Sequence, residues 1–109
     1  MSEFVIETYT PPQATSILAA RVEELALAAE QISAAGAEVR VLGALFLPAD
    51  ETCFYLYQAA SADTVCAAAA RGRLDLTRIT KAVSIRTSQT GVAAGSQQPY
   101  QYPRSERTR

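Results

Sequence analysis

Residues 38–58, EVRVLGALFLPADETCFYLYQ, decide the fold of this chain. The first half, EVRVLGALFL, is an almost unbroken apolar run and reads as a strand, with Gly43 marking a bulge or a close approach to the backbone. Pro48-Ala49-Asp50-Glu51 is a turn. In TCFYLYQ, residues 52–58, a second strand alternates Phe54 and Leu56 on one side with Cys53, Tyr55 and Tyr57 on the other. Two apolar runs joined by so short a link imply a hairpin.

Working outward from the hairpin, residues 3–9, EFVIETY, place Phe4, Ile6 and Thr8 on one side of a strand and Val5, Glu7 and Tyr9 on the other. Pro11 and Pro12 end it. Leu18, Val22, Leu25, Ala29 and Ile32 then recur at steps of three and four, the stripe of a long helix. Thr15 or Ser16 offers an N-cap oxygen, Gly36 follows its end, and Arg21, Glu24 and Gln31 lie opposite the stripe. Beyond the hairpin, Ser61 and Asp63 open a short alanine-rich helix that runs through Val65, Cys66 and Ala69 to Gly72. Residues 78–85 regain alternation through Ile79, Lys81, Val83 and Ile85. The order is β-α-β-β-α-β, and it predicts an α+β, ferredoxin-like domain over residues 1–86: a four-stranded antiparallel sheet with two helices on one face. Residues 87–109, rich in Gly, Ser, Gln, Pro and Arg and without periodicity, are expected to form a disordered tail.

The other face of such a sheet is bare. A domain of this size buries only about 60–65% of the surface its unfolded chain exposes, so its stability gains from a partner. An extended apolar patch is rarely left open on a monomer. The expectation is a homodimer through the sheet face, a dimeric α/β barrel. No run of about 18 apolar residues is present, so no membrane is expected to be involved. The start, Met-Ser-Glu-Phe, lacks a basic n-region, and the reading places the protein in the cytoplasm. Cys53 and Cys66, on different elements, read there as small hydrophobes with free thiols.

A net charge of −1 conceals an uneven chain. Residues 1–70 carry nine acidic and two basic side chains, a net −7, whereas residues 71–109 carry eight basic and two acidic, a net +6. Opposite halves neutralising each other explain this more simply than an anionic partner for the tail. Nucleic acid is disfavoured because stacking aromatics do not accompany a clustered basic face.

Histidine is absent, which removes the commonest general base and metal ligand. Two cysteines cannot build a structural zinc site, and the five glycines fall in no phosphate-binding spacing, so no metal or other cofactor is expected. What remains for chemistry is a polar and aromatic set that alternation would place on the helix-free face: Glu7, Tyr9, Tyr55 and Tyr57, with Arg40 nearby. Glu7 desolvated among tyrosines could serve as a catalytic base, with Tyr9, Tyr55, Tyr57 and Arg40 holding a small apolar or aromatic ligand. The plainer reading makes the tyrosines interface residues and pairs Glu7 with Arg40 or Lys81.

The stretch from Phe54 to Val65, FYLYQAASADTV, resembles the strand-to-helix passage of a family of small bacterial ferredoxin-like proteins. Its most specific part is residues 59–65, similar to an "APSADAV" segment, and the similarity extends over residues 3–85. One branch of that family binds nickel, which implies histidine ligands near the end of the first strand and around the second helix. This chain has Tyr9 at the former place and alanines and arginines at the latter, so no ligand carries over. What the resemblance does imply is homodimerisation through the sheet. Related dimeric α/β barrels include cofactor-free oxygenases, isomerases and cyclases. The expected function is therefore a metal-free, homodimeric small-molecule-binding or structural module, with a small cofactor-independent enzyme as the alternative.

Overall fold

The computed structural model describes residues 1–75, 77–85 and 87. The expected tail lies outside them, apart from Thr87. Strands β1 (Ser2–Tyr9), β2 (Val39–Leu47), β3 (Thr52–Ala59) and β4 (Arg78–Ala82) form one sheet in the order β2-β3-β1-β4, with every neighbouring pair antiparallel. Helix α1 (Leu18–Ala34) joins β1 to β2, and α2 (Ala62–Arg71) joins β3 to β4. In each connection the two strands run parallel with one strand of the other unit between them. Each β-α-β unit is thus split by the other. The class is the expected α+β one.

The helices pack on each other and cover one face of the sheet. Their apolar stripes explain why. Leu25 and Ala29 of α1 and Val65, Ala68 and Ala69 of α2 are buried against Phe4, Ile6, Val39, Cys53, Tyr55, Tyr57 and Ala59, and Ala28 is buried near Gly72 at the end of α2. Leu18, Val22 and Ile32 complete the α1 side. Fully buried aliphatic side chains such as Ile6, Leu25 and Val65 each contribute roughly 1.5–3 kcal/mol relative to exposure.

The start of α1 differs from the sequence reading. A 3-10 segment, Pro12–Ile17, precedes the helix, and the cap position falls on Ile17 without a side-chain bond. Thr15 instead donates its hydroxyl to the Pro12 carbonyl at 2.8 Å, because the two prolines hold the chain in a tighter turn first. The α2 cap is as expected: the Ser61 hydroxyl accepts from the Thr64 amide at 3.3 Å. At the far end of α1, Ser33 Oγ accepts from the Val39 amide and donates to the Val39 carbonyl, both at 2.9 Å, which fixes where β2 begins.

Two glycines matter. Gly43 has φ +152° at the register shift between Val41 and Gly43, a conformation that L side chains rarely adopt, so the predicted bulge is present. Gly72 has an ordinary φ of −85° and is required for a different reason: a Cβ there would lie 2.7 Å from Leu25 Cδ2. It lets the two helices meet.

Candidate functional site

The ladder registers decide which side chains share a face. Across the open face, Arg78, Glu7, Phe54 and Leu45 form one row; Thr80, Val5, Leu56 and Gly43 form the next; Ala82, Glu3, Gln58 and Arg40 form the third. Val5, Phe54 and Leu56 are half-buried, whereas Leu45 is 63% exposed. With Gly43 and Ala44 these four apolar residues line a shallow groove of ≈ 510 Å³. The missing Cβ of Gly43 deepens it. The apolar part lies toward β2 and β3, and the charged residues Glu3, Glu7, Arg40 and Arg78 ring it.

The candidate residues read from the sequence do not assemble as one cluster. Glu7 is on the open face, but Tyr55 and Tyr57 are on the opposite one, 2% and 0% exposed beneath the helices. The pairing of their faces assumed from alternation is therefore corrected: Glu7 stands opposite Phe54, and Tyr55 stands opposite Ile6. Arg40 is exposed in the Glu3 row, across β3 and two rows from Glu7. Lys81 aligns with Phe4 on the helix side, so the residue beside Glu7 is Arg78. Tyr9 ends β1 and is 68% exposed.

Burial has a chemical consequence for the two inner tyrosines. Loss of water around Tyr55 pushes its phenol up to about 12, helped by a hydrogen bond shared with the Cys53 side chain. Tyr57 is likewise pushed up to about 12 by burial, with the Arg21 charge acting against the shift. Desolvation raises the Cys53 thiol as well. All three are therefore neutral near pH 7. The Tyr57 hydroxyl is buried with no hydrogen-bond partner among the described residues.

A second concavity lies at the far end of β1, on the helix side. It has a volume of ≈ 200 Å³ and is bordered by both Tyr9 and Tyr55, two of the candidate residues; Tyr9 also follows Glu7 by two residues on the same side of β1. Thr8, Thr10 and Arg21 also line it. Its helical position puts Arg21 opposite the apolar stripe of α1. Its guanidinium reaches instead to the end of α2, where Nη1 donates to the Gly72 carbonyl and Nη2 to the Arg73 carbonyl, each at 2.7 Å. Nothing local in the sequence signals so distant a contact.

Among the described residues, no three or more His, Cys, Asp or Glu side chains are grouped to hold a metal ion. No helix among them is long and apolar enough to cross a membrane. Compared with family models, curated proteins and solved structures, the chain finds no match. The resemblance drawn from residues 54–65 rests on that residue pattern alone.

Proposed function

We propose that this chain is a homodimeric module whose helix-free sheet face is covered by a second copy of itself. The single observation that carries this reading is the uncovered groove of Val5, Leu45, Phe54 and Leu56, with 63% of Leu45 left in water. Its rim favours a second copy over an unlike partner. Among the described residues Glu3 and Glu7 are matched in number by Arg40 and Arg78, so the face carries no excess of either sign that would repel a copy of itself about a two-fold axis. The family resemblance and the small size of the domain point the same way. The module is metal-free, and its role is binding or structural.

The enzyme alternative required Glu7 and a tyrosine on one surface. With Tyr55 and Tyr57 turned under the helices, Tyr9, two residues along β1 and 68% exposed, is the one tyrosine among the described residues left on the side of Glu7, and its exposure gives the pair no desolvated pocket. Replacing Leu45 with Glu tests the dimer. Leu45 is largely exposed in one copy, so the fold should change by no more than about 0.5 kcal/mol. An isologous interface carries Leu45 twice, so its dissociation constant should rise roughly a hundredfold or more. Unchanged association in sedimentation equilibrium would count against this face.

A further inference from the structure

We infer that the hollow at the end of β1, between the sheet and the first turns of α1, binds a small organic carboxylate. It lies on the helix side of the sheet, so it is separate from the proposed dimer face and stands or falls independently of it.

The hollow is polar at its floor and apolar on one wall. Thr8 and Thr10 are 5% and 7% exposed, and their hydroxyls are paired only loosely with each other, at 3.3 Å. Tyr55 adds a neutral hydroxyl, while Ile17, Leu18 and Leu74 supply the wall. The mutual bond of Thr8 and Thr10 uses one of the two O–H donors, which leaves the other to donate to a ligand.

Arg21 sets the charge preference. Two backbone carbonyls at 2.7 Å hold its guanidinium in one plane, and Glu24, 69% exposed, accepts from Nη1 at 3.3 Å. Those bonds use both hydrogens of Nη1 and one of Nη2. The Nε–H and one Nη2 hydrogen have no acceptor among the described residues, and Nε with Nη2 is the side-on fork of a guanidinium, the edge that matches a carboxylate in a bidentate pair. Because the fork is already held in place, a ligand would lose little of its binding energy to ordering the side chain. Arg73 and Asp75 at the rim offset each other, which leaves Arg21, whose ion pair with the exposed Glu24 is screened by water, as the charge of the hollow.

Size narrows the class further. At a share of about 30 Å³ per water-sized atom, ≈ 200 Å³ holds about seven heavy atoms. That suits a carboxylate with a short aliphatic or hydroxylated chain.

The test is an amide-resolved NMR titration of the full chain with acetate, lactate and butyrate, each compared with its uncharged amide. The carboxylates should move the backbone signals of residues 8–10 and 72–74, and the amides should not. Arg21→Gln should weaken binding roughly tenfold or more, the value of a charge-assisted pair. Arg21 also ties α2 in place, so Thr10→Val, which keeps the shape of the side chain, provides a second variant. It should retain the fold and bind several-fold more weakly. Equal response to the amides, no response to any carboxylate, or unaltered binding by Thr10→Val would each overturn the proposal.

Discussion

Glu7 faces Phe54 across the β1–β3 ladder, while its neighbour Ile6 faces Tyr55. That one-residue relationship separates the acid from both inner tyrosines. It turns the helix-free face from a candidate reaction site into an apolar groove with a charged rim.

Charge reversal on that rim should be reciprocal. Glu7→Arg or Arg78→Glu alone places like charges together on β1 and β4, and in a two-fold dimer repeats the fault across the interface. Each single change should weaken association, and the double change should restore much of it. Light scattering over a dilution series reads this. A cofactor-independent enzyme would behave differently, since Glu7→Gln would then abolish turnover with little effect on association.

The unpartnered hydroxyl of Tyr57 predicts that Tyr57→Phe is stabilising. Removing a buried group that lacks a partner, with the ring retained, recovers part of a penalty of roughly 1–3 kcal/mol. Urea unfolding should show a higher midpoint with an unchanged slope. A lower midpoint would mean that the hydroxyl is satisfied in solution.

Alkaline pH should unfold the protein through Tyr55 and Tyr57. Their folded pKa values, about 12, lie above the unfolded value near 10. The stabilising neutral form is fully available below pH 10. As pH rises from 10 toward 12 the unfolded chain ionises first, and each tyrosine should remove about 1.4 kcal/mol of stability per pH unit. A pH series of thermal unfolding should therefore fall over that window, less steeply in Tyr57→Phe.

Gly72→Ala should destabilise the domain by roughly 1–3 kcal/mol. The new Cβ would lie 2.7 Å from Leu25 Cδ2, and Leu25 is fully buried, so its side chain has little room to move. Gly43→Ala tests a different property. Nothing lies within 4 Å of the added methyl, so any loss there comes from backbone conformation and from filling the groove.

Element order and the helix stripes were legible because each rests on local periodicity: Leu18, Val22, Leu25, Ala29 and Ile32 all face the core or its edge. Which face of β3 is buried was not legible, because Phe54 and Leu56 are as apolar as Tyr55 and Tyr57. The deciding signal is non-local. The inner surfaces of the helices are built largely from alanine, Ala28 and Ala29 on α1 and Ala68 and Ala69 on α2, and such small side chains leave depth that tyrosine rings fill. Ala59, at the edge of the helix start, continues the same buried set. Arg21 was hidden for a similar reason, since its partners at Gly72 and Arg73 are defined only once α2 is docked.

Native mass spectrometry of the untagged protein reads its assembly state in one spectrum. A homodimer through the sheet face should appear as a dimer that converts to monomer on Leu45→Glu. A wild-type protein that remains monomeric at every concentration would contradict it.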